Sequence, residues 1–400
     1  MKINKHCFPN GLRLVHHEDT STQMVALNIV YDVGARDEHP EHTGFAHLFE
    51  HLMFGGSAHI PDYDTPLQLA GGENNAWTNN DITNYYLTVP KPNVETAFWL
   101  ESDRMLELAF SEQSLEVQRG VVMEEFKQRC LNQPYGDVGH LFRPLAFRVH
   151  PYRWPTIGKE LSHIEQATLD EVKSFFYCFY APNNAVLAVT GNISWDETVR
   201  LTEKWFAAIP RRDVPVRRLP QEPEQTQERR LTVERNVPLD ALFMGYHMCS
   251  REGADYYAFD ILSDILSNGR SSRLNRRLVQ EQNIFSGIDA YISGTRDAGL
   301  LQISGKPAAG VSLEQAEAAV RKELEELRQS PVGEQELEKV KNKFESTQIF
   351  GNINYLNVAT NLAWFELTGK AEDIDLEVER YRSVTTEQLY TCLLYTSPSP

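Results

Sequence analysis

A proline-rich stretch in the middle of the chain constrains its fold more than any other feature. Residues 210–230 contain four prolines and almost no apolar side chains. This composition favours extended chain over a helix or a strand. The chain has 400 residues, which exceeds one typical domain. We therefore predict two domains, at residues 1–212 and 231–390, joined by a linker at residues 213–230.

Strand-like and helix-like segments occur in mixed order on both sides of this linker. Before it, residues 24–33 and 82–89 are rich in Val, Ile and Tyr, as strands are, whereas residues 94–108 and 112–131 have the pattern of helices. After it, residues 313–328 form a charged amphipathic pattern. Mixed order of this kind predicts α+β domains.

The charge of the chain excludes some classes of partner. With 39 basic and 56 acidic residues, the formal net charge is −17. A net acidic surface disfavours nucleic acid and anionic membranes. No segment approaches the roughly 18 consecutive apolar residues of a membrane helix. We therefore expect no nucleic-acid partner and no membrane insertion.

The cysteines and the ends of the chain add three expectations. The five cysteines are widely spaced and include no CxxC pair, so neither a disulfide framework nor a thiolate zinc site is expected. Met1–Asn10 lacks the apolar run of a secretory signal, which favours the cytoplasm. Cys392–Pro400 reads CLLYTSPSP and resembles translated sequencing-adapter sequence. We treat this segment as an artefact after a truncated second domain.

The candidate chemistry is concentrated in the sequence HLFEH, which contains His47, Glu50 and His51. On a helix, residues four apart lie on one face, so the two histidines can present their imidazoles to one cation. Glu50 can reach the same site. We expect the helix to begin after Thr43, as its N-cap, and to run to about Phe54. Catalytic zinc usually has three protein ligands, so a third must come from elsewhere.

The motif alone is weak evidence, because roughly one chain in twenty of this composition would contain HxxEH by chance if all 56 acidic residues are counted as Glu. Longer segments, however, resemble the pitrilysin/insulinase family, the inverzincins, in its two-domain bacterial or mitochondrial-processing-peptidase-like form. The resemblance extends over nearly the whole chain to about Tyr390. The segments are HTGFAHLFEHLMFGGS from His42, GGENNAWTNNDITNYY from Gly71, QRGVVMEEF from Gln118, YAPNNAVLAVTGNIS from Tyr180 and SNGRSSRLNRRLVQEQ from Ser267.

This resemblance implies two related domains, each a mainly antiparallel sheet with helices packed on one face, the second domain being inactive. It implies a zinc metalloendopeptidase that hydrolyses unfolded peptides or short polypeptides, with one Zn²⁺ per chain. By position, His47, His51 and Glu125 correspond to the metal ligands. Glu50 corresponds to the general base, acting on zinc-bound water.

The resemblance also implies a substrate site and a partner. Asn75, Ala76 and Thr78 match the edge strand that pairs with the substrate backbone. Gln118 stands where the family often has a second, assisting glutamate, and Phe285 stands near the place of a tyrosine that steadies the substrate. Two-domain members commonly form dimers, so a homodimer or a heterodimer with a related chain is expected.

The choice of Glu125 over Glu124 rests on the family alignment and on helix periodicity. Neighbouring residues on a helix point about 100° apart, so only one of the two can face the metal. We expect Val121 and Val122 to mark the buried side, and Glu125 lies three and four positions beyond them. Periodicity therefore favours Glu125.

Two alternatives to an active peptidase remain open. One is a non-catalytic partner or assembly subunit of the same fold, which the loss of a motif residue would indicate. All of His47, Glu50, His51 and Glu125 are present in this chain. The other is a peptide-binding or metal-storage protein without turnover.

Overall fold

The computed structural model describes residues 1–395, and these divide into two compact units. Unit 1 comprises Met1–Glu222 and Phe350–Asp375, and unit 2 comprises the remaining described residues. The predicted domain limits stay a prediction, and the two units differ from them because Phe350–Asp375 returns to unit 1. The proposed artefact at Cys392–Pro400 lies partly in the last helix, and residues 396–400 lie outside the described residues.

Unit 1 is built on a six-stranded sheet. Its strands are β1 (Asn4–Cys7), β2 (Arg13–Glu18), β3 (Met24–Tyr31), β4 (Glu73–Thr78), β5 (Thr83–Pro90) and β6 (Ala185–Gly191). The spatial order is β1-β2-β6-β3-β5-β4, and of these neighbouring pairs only β2 and β6 run parallel. The mainly antiparallel sheet confirms the predicted α+β class for this unit.

Nine helices of unit 1 surround this sheet within the described residues. They are α1 (Phe45–Leu52), α2 (Asp64–Leu69), α3 (Val94–Leu106), α4 (Glu112–Phe126), α5 (Val138–Ala146), α6 (Leu161–Glu165), α7 (Leu169–Phe179), α8 (Trp195–Phe206) and, from the returning segment, α12 (Tyr355–Thr368). A π-helical turn, Lys127–Leu131, continues α4.

The two faces of the sheet are covered by different helices. Side chains alternate along each strand, so Leu27 and Ile29 of β3 lie on one face and Ala26 and Val30 on the other. The first face packs against α1, α3, α4, α7 and α8 in the main core. The second face packs against α12. The returning segment therefore completes unit 1.

Unit 2 contains a three-stranded antiparallel sheet in the order β7-β9-β8. Its elements are β7 (Leu242–Met248), α9 (Tyr256–Ser267), a π-helical turn (Asn275–Glu281), β8 (Phe285–Ile292), β9 (Gly299–Pro307), α10 (Leu313–Gln329), α11 (Glu334–Gly351), α13 (Glu377–Ser383) and α14 (Thr386–Tyr395). The apolar faces of these helices and strands share one core.

The linker has no helix or strand between residues 210 and 230. Its first part is nevertheless bound to unit 1. Arg212 donates hydrogen bonds to the carbonyl oxygens of Tyr180 and Leu106, and Arg217 pairs with Asp37. These contacts fix an extended segment without secondary structure.

No helix within residues 1–395 has the length and hydropathy needed to cross a bilayer.

The docking of α12 can be tested by truncating its buried face. Leu362 is fully buried against the sheet, so Leu362→Ala should destabilise unit 1 by about 2–5 kcal/mol through lost contacts and a cavity. Ile353→Ala, at a 71% exposed position before the helix, is the matched control and should be nearly neutral. Urea unfolding followed by tryptophan fluorescence measures both. Equal midpoints for the two variants would contradict this packing.

Candidate active site

Helix α1 carries the HxxEH sequence and is held by its apolar face. Leu48 and Phe49 are fully buried. The Phe49 ring stacks against the rings of Phe176 and Tyr180, with centroids 6.3 Å and 5.1 Å away. These buried side chains fix the rotation of α1 about its axis. His47 and His51 share the other face because they are four residues apart, so they are oriented as well.

The N-terminus of α1 differs from the prediction. Thr43 is not its N-cap: the cap position is Gly44, in the left-handed region with φ of 88°, and it has no side chain to accept a hydrogen bond. The Thr43 hydroxyl instead accepts a hydrogen bond from the Lys159 N–H. Glu38 supplies the capping oxygens, accepting hydrogen bonds from the N–H groups of Gly44 and Ala46, both at 2.9 Å.

His47, His51 and Glu125 come together although they lie on two helices. Glu125 Oε2 is 3.5 Å from His47 Nε2 and 3.4 Å from His51 Nε2. One ligand atom from each residue lies within 4.8 Å of the other two, and no other such group of three His, Cys, Asp or Glu residues occurs within residues 1–395.

These separations fit a shared metal ion. Ligands held about 2.1 Å from a tetrahedral centre lie about 3.4 Å from one another. Direct charge-assisted hydrogen bonds would be shorter, about 2.7–2.9 Å. Two imidazole nitrogens and one carboxylate oxygen are also a common donor set for zinc. The arrangement of His47, His51 and Glu125 therefore suits one transition-metal ion with an open fourth position.

The protonation states suit the same interpretation. Burial lowers the pKa of His47 to about 4, so its ring is neutral at pH 7 and offers a lone pair. The His51 imidazole lowers the pKa of Glu125 more than burial raises it, so this carboxyl is ionised. Within residues 1–395 no hydrogen-bond partner reaches the buried His47 Nδ1.

The side chain of Glu125 is fixed from its other oxygen, whereas Glu124 points away from the histidines. Arg129, in the π-helical turn, lies 2.9 Å from Glu125 Oε1, so Oε2 is left to face the two rings. The Glu124 side chain is 63% exposed and pairs with Lys127. The structure therefore brings Glu125 to the histidines, as predicted from the sequence.

The prediction that Val121 and Val122 both mark the buried side of α4 is wrong for Val121. Val122 is fully buried, but Val121 is 46% exposed. Val121 instead lines an open groove of about 640 Å³ beside Glu125, together with Val117, Gly120 and Met123. Glu124, Glu125, Lys127 and Gln128 also line this groove, so it has an apolar part and a polar part.

Glu50 lies beside the three clustered groups and is partly buried. Burial raises its pKa, while a hydrogen bond with the Thr78 side chain opposes that shift. A carboxylate of raised pKa is a stronger base than an exposed one. The Thr78 hydroxyl of β4 itself donates a hydrogen bond to Thr83 Oγ1 at 3.5 Å, and sequence analysis did not predict its influence on Glu50.

Strand β4 forms an edge of the sheet. Ala76 pairs in register with Tyr85 of β5, and its N–H donates to Asn75 Oδ1 at 2.8 Å. The backbone of Ala76 therefore faces the open edge, where an extended peptide could add as a further strand. Asn75 is exposed and Thr78 half-buried.

The two departures from the family pattern lie in different surroundings. Gln118 is half-buried on α4. Phe285 is fully buried in the core of unit 2. Nearby, Arg277 pairs with Glu323 of α10 at 2.8 Å. The position of Phe285 therefore serves packing in unit 2.

Two family models match the chain. Residues 13–137 match the model described as Insulinase (Peptidase family M16), and residues 166–344 match the model described as Peptidase M16 inactive domain. Zinc protease PqqE of Helicobacter pylori is 29% identical over 338 residues, covering 83% of this chain and 76% of that protein. The uncharacterized zinc protease YmxG of Bacillus subtilis is 25% identical over 347 residues, covering 86% and 83%.

Solved structures show the same fold. The crystal structure of a protease from Helicobacter pylori superposes with a TM-score of 0.93 at 26% identity, over 98% of this chain and 96% of that chain. Pitrilysin superposes with a TM-score of 0.76 at 18% identity, over all of this chain and 44% of its own.

The two adjacent glutamates of α4 allow a matched test of the metal site. Glu125→Gln should weaken Zn²⁺ binding by more than the roughly 10–100-fold typical of losing a partner that only supports a ligand. Glu124→Gln, the same change one position away, should leave the affinity nearly unchanged. Competition with a chelating dye measures both variants. Zinc binding lost with Glu124→Gln and retained with Glu125→Gln would place the metal on the other face of α4.

Proposed function

Because this chain belongs to the insulinase (M16) family of peptidases, we propose that it is a zinc-dependent endopeptidase acting on unfolded peptides or short polypeptides. The observation that carries the proposal is the spacing of His47, His51 and Glu125, which suits one metal ion. Glu50 and the open edge of β4 adjoin these three residues.

In this proposal His47, His51 and Glu125 hold one Zn²⁺ ion in unit 1. When bound, the ion polarises the scissile carbonyl and lowers the pKa of water. Neutral imidazoles and an ionised carboxylate are the forms that can bind it, and the pKa shifts of His47 and Glu125 favour these forms. Arg129 keeps Glu125 Oε1 occupied, so that Oε2 faces the site.

Glu50 is the proposed general base. Its carboxylate takes a proton from the attacking water and then delivers that proton to the amine of the leaving peptide. Burial raises its pKa and makes it a better proton acceptor at neutral pH. The Thr78 side chain opposes part of this rise in the pKa of Glu50, which favours the ionised form that accepts the proton.

Strand β4 is the proposed binding edge for the substrate. An extended peptide can pair with the outward-facing backbone of Ala76, after Asn75 Oδ1 releases the Ala76 N–H. Main-chain pairing requires an unfolded segment, which favours peptides over folded proteins. The groove beside Glu125, with Val117 and Val121, offers space for an apolar substrate side chain.

The oligomeric partner of the chain and its location in the cell stay predictions. Pairing with a second copy or with a related chain is expected from the family resemblance. The structural neighbour PqqL of Escherichia coli is described as a periplasmic protease.

Cleavage of a mixed pool of unfolded peptides, with and without a chelator, tests the proposal. We expect cleavage at internal bonds, its loss with the chelator, and its recovery when Zn²⁺ is added back. Mass spectrometry of the products distinguishes internal cuts from trimming of the ends. Zinc bound at one per chain without any cleavage would instead support the peptide-binding alternative.

The role of Glu50 can be separated from metal binding. Glu50→Gln keeps the shape of the side chain but removes the base, so turnover should fall by about 10²–10⁴-fold while Zn²⁺ affinity stays. Glu41→Gln makes the same change at an exposed position before α1 and should leave turnover unchanged. Peptide hydrolysis and zinc titration measure each variant. Near-normal turnover in Glu50→Gln would exclude this residue as the base.

A further inference from the structure

A buried carboxyl group lies at the start of the helix that carries the histidines. Glu38 is only 6% exposed. Its Oε2 accepts the N–H of Gly44 and its Oε1 accepts the N–H of Ala46, both at 2.9 Å. Each oxygen of this side chain is therefore used by a different N–H of the first turn of α1.

Helix α1 needs these oxygens because it has no local cap. The first N–H groups of any helix lack partners within the helix. Gly44 offers no side chain, and Thr43 is engaged elsewhere. The helix is eight residues long, which is too short to be stable alone in water. Contacts from outside must hold its first turn.

The loop that supplies Glu38 is itself firmly held. Asp37 accepts a hydrogen bond from the Gly34 N–H at 3.0 Å and pairs with Arg217 of the linker. Arg36 pairs with Asp81 at 3.2 Å, and both side chains are almost fully buried. The backbone from Gly34 to Glu38 is thus fixed on both sides of its turn, so Glu38 can act as a rigid anchor.

The position of His47 makes this anchor relevant to the metal. His47 is the third residue of α1 and lies in its first turn, whereas His51 lies in the last turn, next to buried Leu52. Loosening of the first turn therefore displaces His47 and leaves His51 in place. A metal site tolerates errors of only about 0.2 Å in its ligand distances.

We propose that Glu38 is a positioning residue that sets the separation of His47 from His51 and Glu125 by anchoring the first turn of α1. The inference rests on the proposed function, since it takes these three residues as metal ligands. Glu38 does not touch the substrate or the metal. Its effect passes through the N–H groups of Gly44 and Ala46.

The test compares Glu38→Gln with a control that removes an ordinary cap. In Glu38→Gln an amide group replaces one acceptor oxygen and presents a donor to a helix N–H. Ser194→Ala removes the N-cap of α8, where Ser194 Oγ accepts the N–H of Glu197 at 3.3 Å. Helix α8 packs on α3 and β2, away from α1. Both changes should lower the unfolding temperature, because a lost cap is destabilising.

Two readouts distinguish positioning from stability. Zn²⁺ affinity, from competition with a chelating dye, should fall about tenfold or more in Glu38→Gln, as for partners that orient a metal ligand, and stay within about twofold in Ser194→Ala. Hydrogen exchange of the metal-free protein should accelerate at Gly44 and Ala46 in Glu38→Gln alone. If Glu38→Gln does not fold, Glu38→Asp, which keeps both oxygens on a shorter side chain, takes its place.

The outcomes separate this inference from the proposed function. Unchanged zinc affinity in Glu38→Gln, or an equal loss in Ser194→Ala, would overturn the positioning role while leaving the peptidase proposal intact. Unchanged exchange at Gly44 and Ala46 would overturn it as well. An unaltered protein that binds zinc but cleaves no peptide would overturn the proposed function, and the affinity comparison would still decide the role of Glu38. A protein that binds no zinc would overturn both.

Discussion

The burial of one face of helix α1 is the constraint on which the candidate site depends. A helix of eight residues has too few internal hydrogen bonds to be stable in water, so its orientation comes from packing. Leu48 and Phe49 fix its axis and its rotation against the core, and the facing histidines inherit that rotation. Helix α4 packs against α1 and brings Glu125 to the same point. The positions of His47 and His51 therefore depend on apolar contacts on the opposite side of the helix, together with the contacts of Glu38 at its first turn.

The sequence predicts a structural feature correctly where contacts between residues close in the chain determine it. The spacing of His47 and His51 specifies a shared helix face, because the helical period is a property of the backbone. The prediction is wrong where contacts from a distant segment of the chain determine the structure. Threonine is a common N-cap residue, but Thr43 does not cap α1. Glu38, from the preceding loop, accepts the Gly44 N–H instead. Val121 is apolar, as core residues are, yet it lines a groove beside Glu125. Apolar character alone does not distinguish a core position from a position in a groove.

The same distinction explains the two units. Four prolines within residues 210–230 predict the linker, because proline disfavours the interior of helices and sheets. The sequence does not indicate that Phe350–Asp375 returns to unit 1. The buried face of α12 has the same apolar pattern that packing within unit 2 would require. The alternation of Ala26 and Val30 with Leu27 and Ile29 does show that β3 is buried on both faces. It does not show which helix covers each face.

Three glutamates near α1 have different environments, and these determine what each can do. Glu125 lies against two imidazoles and a guanidinium, which favour the charged form that a metal ligand must have. Glu50 lies in a partly buried position that raises its pKa, as a base requires. Glu38 is more deeply buried, and its two backbone donors leave neither oxygen for chemistry. Two carboxylates and one guanidinium leave the region of Glu50 and Glu125 negative. A divalent cation held by His47, His51 and Glu125 would offset that charge and would supply electrostatic stabilisation to a polarised carbonyl oxygen.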